Sequence, residues 1–343
     1  YDTSTTEIYT RSIVGSVRCV YETEILEAVV QERCLSPNDP WALAHGILVY
    51  GKELRLESGE FAYQRLVEDN LYYNTSGEPA FKLRTKDSLP IESHPGLFFK
   101  TLLEVGVAPS SRFALENREV SFAELVRGFA RRYRPGMVLA SSGPPFRNHA
   151  WLLEVVAGAA EQGDPELAQL LVEVRTEALE VLAQNQAYFK PFMNGERDGE
   201  VYEKPSTPSD GRPQPAEIHR FYCEGFHLFQ SVQRMHGKTL PALLNEQYEI
   251  ALYRLNVESA YWARTLAQVR QKYNSNQSKL LVFEDELLAQ RLKLLGHGLE
   301  TYLRAIHLGV LDRAPVEGAL DRALEELDDT VVQLHELQTF DRL

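Results

Sequence analysis

Histidines at three places in the chain have the surroundings that a base or a ligand needs. His94 stands in Glu92-Ser93-His94-Pro95-Gly96, at a predicted helix start. The positive helix end there would keep an imidazole neutral, fit to act as a base or a metal ligand. His149 stands in Pro-Pro-Phe-Arg-Asn-His-Ala-Trp, a loop-to-helix junction that gathers a cation, an amide, an imidazole and an indole. Arg147 in that run can clasp a substrate carboxylate through two parallel hydrogen bonds, and Trp151 can present an apolar face.

The third place is a predicted helix over residues 216–236, with His219, Cys223 and His227 at i, i+4 and i+8 on one face. Eight residues rise about 12 Å, so one ion with bonds near 2 Å cannot reach all three. An adjacent pair could share a divalent metal such as zinc with a ligand from another helix. Phe221, Tyr222, Phe226 and Phe229 surround the stripe, which also reads as a core helix with hydrogen-bonded histidines. Glu224, three residues before His227, permits proton transfer between the two if both face one cavity.

These residues make His94, His149, His227 and Glu224 the catalytic candidates and His94, His149, His219 and His227 the metal candidates. His45, Trp41, Arg147, Trp151 and Tyr222 are the substrate-binding candidates. His45 lies one turn inside a helix started by Pro40, where packing against Trp41 and Tyr50 competes with a binding role. The acidic runs Glu284-Asp285-Glu286 and Glu325-Glu326-Leu327-Asp328-Asp329 read as solvated faces, because consecutive helical residues point different ways.

The elements that must position these groups are almost all helices. Apolar spacing predicts helices near 5–34, 40–56, 93–105, 120–133, 146–162, 164–189, 216–236, 241–271, 278–309 and 315–338. Asp39-Pro40, Asp164-Pro165 and the Ser121/Glu124 capping box mark starts, and Gly51, Gly106, Gly163, Gly237 and Gly309 mark stops. Short links after several stops make neighbouring helices reverse, giving antiparallel helical hairpins. A small β-hairpin insertion is expected near 71–84, and the Pro/Gly-rich segment 193–215 is a long loop, either a lid or a linker. One helical domain over 1–343 is the most economical division.

Five segments run from a histidine through apolar turns to a glycine: His45–Gly59, His94–Gly106, His149–Gly163, His227–Gly237 and His297–Gly309. Successive histidines lie 49, 55, 78 and 70 residues apart (94−45, 149−94, 227−149, 297−227), and each gap can hold one hairpin. This rhythm resembles the α/α toroid of prenyltransferase β-subunits, squalene and terpene cyclases, lanthipeptide cyclases and many polysaccharide lyases. The resemblance implies a cavity at one end of the inner helices, near the segment starts at 40, 94 and 148. The chain has neither an Asp-rich DxDD or DDxxD cluster nor a Cys…Cys-His set, so it carries over none of those activities.

Composition sets the outer bounds. With 343 residues, 44% hydrophobic and 25% charged, the chain reads as an ordinary globular protein. A formal charge of −13 would repel a polyphosphate backbone, so no nucleic acid partner is expected. No run is long and apolar enough to predict a membrane span. The three cysteines form no close metal or redox set, and the sequence leaves both cytoplasm and periplasm open for a soluble chain. No nicotinamide, flavin or phosphate-loop motif occurs, so no nucleotide cofactor is expected. The reading is an enzyme of hydrolase or lyase type with a His/Trp/Tyr-lined cavity for a small or oligomeric substrate. Its alternative is a noncatalytic helical-repeat scaffold for a peptide or protein.

Overall fold

The computed structural model describes residues 28, 31, 34–36, 38–82, 91, 96–131, 150–161, 165–196 and 222–338. Among them are ten helices and four short strands. The chain forms two compact units, Tyr1–Val138 with Arg147–Thr176, and Leu139–Phe146 with Glu177–Leu343.

The first unit begins with α1 (Pro40–Tyr50). The Asp39 carboxylate accepts the Ala42 amide at 3.0 Å, and proline at the helix start has no amide hydrogen left to satisfy. Gly51 ends the helix at φ 81, a conformation that costs a glycine little. After α2 (Ala62–Asn70) comes the expected small hairpin, β1 (Leu71–Tyr73) against β2 (Pro79–Phe81). Its turn is held by Asn74, whose Oδ1 accepts the amides of Ser76 and Glu78, each at 2.9 Å.

Then come α3 (Leu97–Glu104), a second hairpin of β3 (Arg112–Leu115) and β4 (Arg118–Ser121), α4 (Phe122–Ala130) and α5 (Leu152–Glu161). The capping box at α4 forms as its sequence requires. The Ser121 hydroxyl accepts the Glu124 amide, and the Glu124 carboxylate accepts the Ser121 amide at 2.6 Å. Phe81 sits edge-on to both Phe98 and Phe99, and Phe113, Phe122 and Trp151 are buried with them in this unit's core.

The second unit takes the later part of α6 (Pro165–Met193) with α7 (Tyr222–His236), α8 (Ala242–Tyr273), α9 (Gln277–His307) and α10 (Glu317–Glu336). At about 1.5 Å per residue, α8 and α9 are each close to 48 Å long. The short links 237–241 and 274–276 fold α7, α8 and α9 into antiparallel neighbours. As a result α7 and α9 run in the same direction, and α9 packs against α7, α8 and α10. Largely helical architecture built from antiparallel hairpins, with small β insertions, is therefore what the described residues adopt.

Two features set the spacing in this unit. Gly298 lets α9 press on α8: a methyl there would lie 2.6 Å from Leu255 Cδ2. Several polar groups buried among these helices are paired, which offsets the cost of taking them out of water. Arg254 meets Glu258 at 3.0 Å, Arg291 meets Glu326 at 2.9 Å, and the Tyr302 hydroxyl donates to the Tyr248 carbonyl. Burial pushes both of those phenols well above the usual tyrosine range.

Candidate functional site

His227 is buried on α7, and its ring lies 4.5 Å from that of His297 on α9, edge to face. The two are 70 positions apart in sequence (297−227). Helix geometry explains the meeting: His227 stands nine residues before the end of α7 (236−227) and His297 ten before the end of α9 (307−297). Parallel helices joined through one antiparallel helix of matching length, α8, bring such positions to the same height. Glu300 follows His297 by three residues, nearly one turn, and its Oε2 lies 3.4 Å from His297 Nδ1. One ligand-type atom from each of the three residues lies within 4.8 Å of the others.

A chain of hydrogen bonds ties the cluster to the seam. The Thr301 hydroxyl donates to the His297 carbonyl at 2.7 Å. Its oxygen accepts from Gln230 Nε2 at 2.8 Å. That orients the Gln230 amide so that Oε1 faces His227 Nδ1 at 3.4 Å. An amide oxygen only accepts, so this contact favours the tautomer of His227 with its proton on Nδ1 and its lone pair on Nε2. His227 is 6% exposed, whereas the side chains of His297 and Glu300 are 25% and 22% exposed, so the cluster has a buried end and a partly open one.

Beside it, Asn185, Gly225, Phe226, Phe229, Gln247, Ile250, Ala251 and Arg254 line a cavity of about 10 Å³ open to a water-sized sphere. That is room for one water and not for a substrate. Among the described residues Asn185 Oδ1 has no hydrogen-bond partner there, which makes it a natural acceptor for such a water.

The sequence candidates fall into three groups. His94, His149, Arg147 and His219 lie outside the described residues, as does the 197–215 part of the expected loop or lid. Tyr222 and Glu224 occupy the first turn of α7. The remaining ones have clear surroundings. His45 donates from Nδ1 to the carbonyl of Trp41 at 2.8 Å, and the two rings lie 4.8 Å apart, so each occupies the other. Trp151 is 3% exposed and carries the Lys100 ammonium 5.7 Å above its ring. Of the two described histidine candidates, His45 and His227, His227 is the one that meets another titratable ring, and its partners His297 and Glu300 are not among the candidates the sequence suggests. The pattern His297-Gly-Leu-Glu300 on an apolar helix was the available signal, mirroring Glu224-Gly-Phe-His227 on α7.

No protein-family model matches the sequence, no curated protein is significantly similar to it, and no solved structure matches its fold. What fold and site define is a largely helical protein with a His–His–Glu cluster across two parallel helices. No helix of the described residues is long and apolar enough to cross a membrane.

Proposed function

We propose that the chain is an enzyme of hydrolase or lyase type, acting on a small or oligomeric substrate, with His227, His297 and Glu300 as its working groups. One observation supports this: histidines from two separate helices converge with a carboxylate, where a binding scaffold would leave them dispersed through the core. Of the three, the partly open pair His297 and Glu300 is suited to meet substrate. A carboxylate beside an imidazole orients the ring, and the imidazole then takes a proton from an attacking water or a carbon acid and returns it to the leaving group. The reading does not depend on a closed α/α toroid, since an open array of hairpins presents the same seam between α7 and α9.

The test is a panel of chromogenic esters, phosphomonoesters and glycosides, with uronate oligosaccharides followed by the absorbance of an unsaturated product. It compares wild type with His297→Gln and Glu300→Gln, and circular dichroism verifies the fold of each. Turnover that falls by about 10²–10⁴ in His297→Gln is the expected outcome. Turnover that both variants retain would remove the chemistry from this seam. Wild type inactive on every class would give the lead to a noncatalytic scaffold that binds a peptide or protein.

A further inference from the structure

We infer that the seam between α7 and α9 is a binding site for one divalent first-row transition ion, with zinc the first candidate. The ligands are Nε2 of His227, a ring nitrogen of His297 and a carboxylate oxygen of Glu300. The inference rests on the proposed function for its location only: with an ion bound, the imidazole lone pairs are taken, and the water at its open position, rather than free His297, would be the activated group.

The donor chemistry selects the class of ion. Two imidazoles and one carboxylate, without a thiolate, suit zinc or ferrous iron, whereas calcium and magnesium take oxygen ligands. Distances agree with a site that closes on its ion. Bonds of about 2.0–2.1 Å in a tetrahedron place ligand atoms about 3.3 Å apart. His297 Nδ1 and Glu300 Oε2 already stand at 3.4 Å. The widest separation in the cluster, 4.8 Å, must shrink by about 1.5 Å, within reach of side-chain rotation at the two partly exposed ligands. Three protein ligands leave a fourth position for water, as in catalytic rather than structural zinc sites.

The surrounding hydrogen bonds make the assignment sharper. A ligating histidine usually donates its other ring N–H to a fixed acceptor, which sets its tautomer and its aim. Gln230 does this for His227, and its own orientation is fixed from α9 through Thr301. Gln230 is thus a positioning residue: it touches no ion, yet it holds the His227 lone pair on Nε2.

Zinc titration of the metal-stripped full-length chain against a chromophoric chelator tests the inference, with cobalt substitution as a second readout. One equivalent of zinc should bind, and cobalt should show the intense visible bands of four-coordination. His297→Ala and Glu300→Gln should each weaken binding by at least about 100-fold, and Gln230→Leu by about 10–100-fold. Glu300→Gln preserves shape at a partly exposed position, so its effect reads ligation rather than folding. Failure of the folded wild type to take up either ion, or affinity unchanged in both ligand variants, would overturn the site. Affinity unchanged in Gln230→Leu alone would overturn the positioning role. Zinc bound as described without turnover on any substrate class would sink the enzymatic reading and leave this one standing.

Discussion

Replacing Gly298 by alanine should cost stability, whereas the same replacement two residues earlier, at Gly296, should add it. Both glycines lie inside α9 with ordinary helical backbone, so both variants gain the same helix propensity, about 1 kcal/mol. Their surroundings differ. A Cβ at Gly296 meets no atom of the described residues within 4 Å, while at Gly298 it lies 2.6 Å from Leu255 Cδ2 and 3.0 Å from its Cγ. Leu255 is 2% exposed, so it cannot swing into solvent to make room. Overpacking of this kind costs about 1–3 kcal/mol. Gly296→Ala should therefore be stabilised by about 1 kcal/mol, and Gly298→Ala should be destabilised by up to about 2 kcal/mol. The difference between them isolates the packing term, because propensity cancels. Urea denaturation followed by circular dichroism measures it, and native-state hydrogen exchange of α9 amides reads the same difference locally. Equal stabilisation of both variants would refute the close approach of α8 and α9 on which the position of the adjacent His297 depends.

Two further predictions concern charge. The Ser121 hydroxyl, then its backbone amide, then Arg112 and Arg118 hold the Glu124 carboxyl below the usual range. A carboxyl lowered by folding contributes stability that is present above its unfolded pKa and is lost as pH falls through the folded one. Ser121→Ala should move the Glu124 titration seen by carboxyl NMR upward and flatten that acid-side loss; an unmoved titration would refute the capping assignment. At the buried Arg254–Glu258 pair, with side chains 4% and 0% exposed, Arg254→Met should cost about 3–5 kcal/mol by stranding a charge. The double variant Arg254→Met/Glu258→Met should recover much of that in denaturation, and a double variant as unstable as the sum of the singles would show that the two groups do not interact.

Much of the helical layout was legible because its boundaries carry local chemistry. Asp39-Pro40 and the Ser121/Glu124 box start helices where expected, and Gly51, Gly106, Gly237 and Gly309 all have positive φ at the expected stops. The segment given as 40–56 ends at Tyr50, at the Gly51 stop. What escaped had no such marks. Phe61, which precedes α2, makes no side-chain cap, and polar residues break up that helix's apolar positions. The hairpin β3–β4 turns at Glu116-Asn117 with Glu116 at φ 54, where no glycine advertises the turn, and its strands are only four residues long. The site was half legible. The Glu224/His227 spacing and the histidine-to-glycine rhythm pointed at α7 and α9, but a pair of rings 70 residues apart depends on helix lengths and direction rather than on any local motif.

That the two histidines belong to parallel helices bears on the order in which the chain acquires them. Joining positions 227 and 297 through a disordered chain means closing a loop of about 70 residues, while α8 and α9 meet across three. Once that hairpin exists, α7 needs only the five residues 237–241 to turn back onto it. On a logarithmic closure law the ratio of about 14 in loop length lowers the entropic cost by about 2 kcal/mol. The His227–His297 encounter is then a late event, contingent on a scaffold already folded. A nascent chain released before α9 emerges would carry His227 without its counterpart and without the helix that covers it, so burial of that imidazole reports completion of the seam.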